Sequence, residues 1–213
     1  MSAGSALNEP FEDLGRQRLA ARFGMWCFLA SEILFFGSLF LCFLVYRQLH
    51  PNEMLAAGRE TNIVFGSLNT AILLASSVTM AVADKAAEEG LRRDALRCLG
   101  LTAALGLAFL VVKGFEYRED VEKHLWPGPD FAFGDSPARL FYGFYWTMTG
   151  VHALHLTIGI ATVALVMLRI RQGRLPFRDS ATLPVLGLYW HLVDIVWIFL
   201  YPLLYLGGRA GGA

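Results

Sequence analysis

Five apolar runs, each long enough to cross a bilayer, leave this chain few ways to fold. They extend from Gly24 to Tyr46, Ile63 to Ala83, Leu96 to Phe115, Phe141 to Leu168 and Pro184 to Leu206. A helix rises about 1.5 Å per residue, so about 20 apolar residues match roughly 30 Å of hydrocarbon. Lipid offers no partner to an unpaired peptide group, so a span is either a helix or a strand of a closed barrel. Runs of this length exceed the barrel strand of about 10 residues. The expected fold class is therefore all-α, a polytopic membrane helix bundle with five transmembrane helices. Composition agrees: 55% of residues are hydrophobic and 17% charged, against about 25% charged in soluble domains.

The formal net charge is zero, which gives no electrostatic footprint for nucleic acid, and none is expected as a partner. Cys27, Cys42 and Cys98 lie in or beside apolar runs without metal-type or redox spacing, and read as small hydrophobic side chains. Residues 1–22 carry Glu9, Glu12 and Asp13 and lack the basic-then-apolar pattern of a signal peptide. They read as a cytoplasmic tail, followed by a transmembrane domain over 23–207 and a short C-terminal tail over 208–213. Basic residues set the expected orientation. Arg16, Arg18, Arg22, Lys85, Arg92, Arg93, Arg97, Arg169, Arg171, Arg174 and Arg178, 11 of 18 Lys and Arg, fall on the side of the N-terminus. Arg47, Arg59, Lys113, Arg118, Lys123, Arg139 and Arg209 fall on the other. The positive-inside bias puts the N-terminus in the cytoplasm and the C-terminus outside.

The one sizeable loop, EYREDVEKHLWPGPDFAFGDSPAR, follows the third span. Its first half, Glu116 to Leu125, reads as an extension of that helix into water, ended by Trp126-Pro127-Gly128-Pro129.

Polar groups inside the spans are costly and need a reason. Glu32 suits a proton or lipid-headgroup contact, or a hydrogen bond between helices. His152 and His155 lie three apart on one helical face. A metal held by that pair with Glu116, His191 or Asp194 is one reading, although HExxH is absent. Opposed histidines four turns apart, as two b-type haems require, are absent too. His191 and Asp194 repeat the three-residue spacing, either as a relay or as a pair that satisfies itself and its neighbours. Lys113 reaches Glu116 one turn away, a modest local pair. Asn69, Thr70, Ser67, Ser76, Ser77 and Thr79 give the second span a content suited to close packing, and Gly37 and Gly159 serve the same end. No hydroxyl or thiol stands in a catalytic arrangement, and no nucleotide-binding glycine pattern is present. A small proton-coupled transporter built on Glu32 and the His-Asp pair is a further reading, but the spans show no inverted repeat and no pair of broken helices.

YWHLVDIVWIFLYPLLY closes the chain, and GFYWTMTGVHALHLTIGI forms the span before it, with paired histidines at His152 and His155. These stretches resemble the last two helices of subunit III of the haem-copper respiratory oxidases. GMWCFLASEILFFGSLFLCFLVYR is similar to its helix that begins with GMW and carries a Glu. LNTAILLASSVTMA resembles its Asn-Thr helix, and Glu116-Tyr117 stand where its third segment ends in Glu-Tyr. One departure is visible: many members have a Glu five residues before the Asn-Thr pair, where this chain has Val64.

The resemblance implies the five-helix bacterial form of an accessory subunit that has no active site and binds no cofactor. Haem and copper are then expected in partner subunits I and II, and structural phospholipid in a cleft of the bundle. Its expected place is the bacterial cytoplasmic membrane, stabilising subunit I and supporting proton uptake there during aerobic respiration. Glu32, Asn69, Glu116, His152, His155, His191 and Asp194 are then expected to make interhelical polar or lipid-cleft contacts, none of them catalytic or metal-binding. Related chains accompany quinol oxidases, and others are encoded beside nitric oxide reductases, so a nitric oxide reductase catalytic subunit is the alternative partner.

Overall fold

The computed structural model of the protein describes residues 14–134, 136–174 and 181–209. Helices α1 (Leu14–Leu49), α2 (Pro51–Arg59), α3 (Ile63–Glu88), α4 (Arg92–Glu122), α5 (Ala138–Arg171) and α6 (Thr182–Tyr201) follow in order, and a π-helical turn over Pro202–Leu206 closes the bundle. All but α2 are long and apolar enough to cross a membrane. The all-α, five-span expectation holds, with longer helices than the apolar runs: α5, at 34 residues, spans about 51 Å and overshoots the hydrocarbon.

The short link over residues 89–91 turns α4 back antiparallel to α3. The α3–α4 pairing is the most extensive, and α6 packs against α1, α3 and α5. Accordingly α6 is the most buried span, while α1 is the least and leans mainly on α5 and α6. The side chains of Leu19, Phe23, Trp26, Ile33 and Leu34 on α1 are exposed, as expected of a surface solvated by lipid tails.

Helix ends follow local chemistry. The Asn62 side chain accepts from the amides of Val64 and Phe65 (3.1 and 3.4 Å), capping α3. It also donates to Glu119 Oε2 at 3.2 Å, which ties α3 to the end of α4. Helices α3 and α5 stop at Gly90 (φ 80°) and Gly173 (φ 68°), where the amides of Leu91 and Arg174 reach back to Ala86 O and Arg169 O. Glycine enters this left-handed region without steric cost. At the end of α4 the same position is taken by His124 (φ 55°). Just past that helix, the hydrogen bond from Lys123 to Glu119 (2.7 Å) raises the ammonium above the ordinary lysine range and keeps a cation at the negative helix end.

Four expectations change. Helix α1 begins at Leu14, well ahead of the apolar run, so Arg16, Arg18 and Arg22 stand on its first turns; Glu9, Glu12 and Asp13 lie outside the described residues. Helix α2 is new: Pro51 opens it, and Met54, Ala57 and Gly58 form its buried stripe. Lys113, counted as an outer-side charge, is 2% exposed inside the bundle. Gly37 is exposed, and no other helix among the described residues lies where its Cβ would stand, whereas Gly159 faces Tyr189 and Trp190 closely.

The start of the expected C-terminal tail is docked. Arg47 and Arg59 donate to Gly207 O and Gly208 O (2.9 and 3.2 Å), and Arg209 donates to Arg59 O and Thr61 O (3.1 and 3.0 Å). Gly58 and Gly208 meet backbone to backbone. A Cβ on Gly208 would lie 2.5 Å from the Gly58 carbonyl carbon and 2.7 Å from Arg59 N. Gly208→Val is therefore expected to lift the closing turn from α2 and cost about 1–3 kcal/mol. Thermal denaturation in detergent checks this; an unchanged midpoint would contradict the close docking.

Candidate functional site

A row of hydroxyls on α3 meets a row of aromatic and imidazole donors on α6. Ser67 Oγ lies 2.7 Å from Tyr201 Oη. Trp197 Nε1 donates to Thr70 Oγ1 at 3.0 Å, and Trp190 Nε1 to Ser76 Oγ at 3.1 Å. Ser77 Oγ is 2.8 Å from His191 Nδ1. On the neighbouring face, Thr79 Oγ1 meets Thr102 Oγ1 of α4 at 2.7 Å. Such bonds within a bundle contribute about 0.6 kcal/mol each on average, because the unfolded chain in the membrane finds other partners.

A fully buried donor is a harder case. Trp190 is buried in a slot formed by three helices. A Cβ on Gly106 of α4 would stand 3.1 Å from its Cη2, and one on Gly159 of α5 would stand 3.3 Å from its Cζ3. Ser76→Ala would strip the indole N–H of its acceptor, at an expected cost of about 1–3 kcal/mol. Ser77→Ala, beside the half-buried His191, is expected to cost less. Denaturation of the two variants side by side checks the order, and a reversed order would contradict the geometry.

Between α1 and α5, Glu32 Oε2 approaches His155 Nε2 at 3.1 Å. Glu32 Oε2 has no partner at hydrogen-bonding angles among the described residues, so this is a close polar contact rather than a hydrogen bond. His155 Nδ1 lies 2.9 Å from Val151 O, which assigns that nitrogen its hydrogen. Tyr189 Oη donates to His155 O at 2.8 Å, so α1, α5 and α6 meet at one level.

His152 and His155 share a helix yet face different surroundings. His152 packs on the rings of Phe109 and Trp197 (5.5 and 5.1 Å between centroids). Among the described residues, neither of its nitrogens has a hydrogen-bond partner, nor do the side-chain polar atoms of Asn69, and the two oxygens of Asp194 have none at hydrogen-bonding geometry. His191 and Asp194 therefore do not satisfy each other, since the imidazole turns to Ser77 instead. A serine and an imidazole in contact are two members of a nucleophilic triad, but among the described residues no carboxylate is hydrogen-bonded to the ring. Among the described residues, no three His, Cys, Asp or Glu side chains gather as metal ligands do.

Glu116 belongs to a cluster far richer than the pair the sequence suggests. All three Lys113 ammonium hydrogens are used: on Glu116 Oε2 (3.1 Å), Tyr145 Oη (3.0 Å) and Tyr205 Oη (2.7 Å). Tyr145 Oη lies 2.9 Å from Glu116 Oε1 and 2.7 Å from Asp120 Oδ2. The ammonium also stands 4.8 Å from the Tyr117 ring centre and 4.5 Å from that of Tyr145, a cation in an aromatic cage. Helices α4 and α5 and the closing turn are thus held at one point. Sequence reasoning paired Lys113 with Glu116 but missed Asp120, Tyr145 and Tyr205. The readable signal is the row Lys113, Glu116, Asp120, which repeats at helical spacing on one face.

Comparison with known proteins bears on this arrangement. Residues 16–209 match the family model described as cytochrome c oxidase subunit III. The cytochrome c oxidase subunit 3 of Alkalihalophilus pseudofirmus is 30% identical over 189 residues, covering 88% of this chain and 87% of the relative. That of Synechocystis sp. is 32% identical over 185 residues, covering 86% and 74%. The cytochrome bo(3) ubiquinol oxidase subunit 3 of Pseudomonas aeruginosa is 31% identical over 188 residues, covering 87% and 84%. With a match that runs from the first turns of α1 to the docked Arg209, this multi-pass membrane chain belongs to the cytochrome c oxidase subunit III family.

Proposed function

We propose that the chain is the non-catalytic subunit III of a haem-copper oxygen reductase in a bacterial cytoplasmic membrane. The observation that carries this reading is the family match over the whole bundle. Its interior supports the non-catalytic part, because His191, His155 and Glu116 are engaged with other helices of the chain. On this reading subunits I and II hold the haem and copper, and electrons and oxygen meet there. The chain braces the face of subunit I, supports its proton uptake, and retains phospholipid against the exposed surface of α1. The excess of Lys and Arg on the side of the N-terminus supports a cytoplasmic N-terminus and an external C-terminus.

A quinol donor is the second reading, favoured by the similarity to the ubiquinol oxidase subunit of Pseudomonas aeruginosa. Purification of the tagged chain from respiring membranes in mild detergent, followed by partner mass spectrometry and a reduced-minus-oxidised spectrum, tests both. An oxygen-reducing haem subunit with a copper-bearing subunit II supports the first reading, and one with a subunit II that lacks copper supports the second. Recovery with a nitric oxide reductase catalytic subunit would overturn both.

A further inference from the structure

The cluster around Lys113 contains more acceptors than protons. Lys113, Glu116 and Asp120 are 2%, 1% and 3% exposed, so water does not share their charge. With both carboxylates ionised, two negative charges face one ammonium. The hydrogen count leads to the same shortage. The Tyr145 hydroxyl has one proton, yet its oxygen lies within 3 Å of Glu116 Oε1 and of Asp120 Oδ2, while it accepts from Lys113. One of those two short oxygen–oxygen approaches would then hold no hydrogen. A single added proton removes both faults, since it neutralises the cluster and fills the empty approach.

We propose that Glu116, Tyr145 and Asp120 form a buried proton-binding site, in which one added proton is shared between the two carboxyl groups through the tyrosine hydroxyl. The ligand is a proton drawn from the water at the end of the bundle opposite the start of α1. Asp120 is the point of entry: Glu119, Lys123 and the exposed pair Arg118–Glu122 flank it on the last turns of α4. The other ionisable groups facing the site are Tyr117 on α4, Tyr142 and His152 on α5, Glu60 after α2 and Tyr205 in the closing turn; α6 contributes Trp197, which does not ionise. Because Lys113 fastens α4 to Tyr145 and Tyr205, release of the proton as the pH rises leaves repulsion inside that fastening and loosens it.

This inference rests on the cluster alone and stands whether or not the chain accompanies an oxygen reductase. Infrared difference spectroscopy of the purified chain or complex, titrated from acid to alkaline pH, reads the proton directly. The expected result is a protonated-carboxyl band that is lost as the pH rises and is absent in Asp120→Asn and in Glu116→Gln. The melting temperature of the unaltered chain should fall over the same pH range, and that fall should be flattened in Asp120→Asn. Tyr145→Phe, which keeps the ring and removes the shared hydroxyl, should shift the band. A band unaltered in both amide variants overturns the proposal. If those variants do not accumulate, a band unshifted in Tyr145→Phe overturns it instead.

Discussion

Replacing Lys113 by methionine is expected to lower the stability of the bundle by about 3–5 kcal/mol, the usual consequence of removing one partner from a buried charged cluster. Methionine fills much of the volume of the lysine stem, so lost packing contributes little. What changes is electrostatic. Glu116 loses its cation, Tyr145 and Tyr205 lose the donor that joins them, and the site must hold excess negative charge or bind a further proton. The double variant Lys113→Met, Glu116→Gln should recover much of the loss, because a neutral amide does not need the ammonium. Detergent denaturation of the three chains checks this. A single variant as stable as the parent would show that Lys113 is not the fastening between α4, α5 and the closing turn.

Trp190→Ala should cost a similar amount, about 3–5 kcal/mol, by a different route. The indole fills a slot whose walls are Gly106 and Gly159 and whose polar end is Ser76 Oγ. Truncation leaves a cavity where α3, α4, α5 and α6 converge, and the glycine walls have no side chains with which to fill it. Trp190→Phe should fall between the two, since it restores most of the volume but leaves Ser76 without its donor. The same denaturation assay gives the order; a phenylalanine variant weaker than the alanine variant would contradict the slot geometry.

The five spans were legible because lipid imposes a simple rule: about 20 apolar residues, whatever their order, form a helix. The partners of polar residues were harder to read, because periodicity gives a residue's face and not the side chain opposite it. His191 and Asp194 share a face at a spacing of three, yet the imidazole bonds to Ser77, 114 positions away in the chain. His152 and His155 share the same spacing and part company, one onto Phe109 and Trp197 and the other towards Glu32. Lys113 and Glu116 do pair locally, as their spacing implies. What turns them into a buried cluster is Tyr145 on the next helix and Tyr205 in a turn 92 residues on.

Helix α2 was missed for a related reason. Nine residues of low hydropathy are too short to register as a span, and the stripe Met54, Ala57, Gly58 acquires meaning only once Gly208 is seen against it. The family resemblance, by contrast, was readable along nearly the whole chain, because its motifs occur in order and in separate helices.

The most direct test of the central claim, that this chain serves a redox complex without holding the redox centres, is to strip it from the purified complex with detergent and follow haem absorbance and initial oxygen reduction together. All haem absorbance is expected to stay with the large subunit, and the initial rate to be largely retained. Haem that leaves with the stripped chain, or an initial rate that vanishes while the large subunit keeps its spectrum, would contradict it.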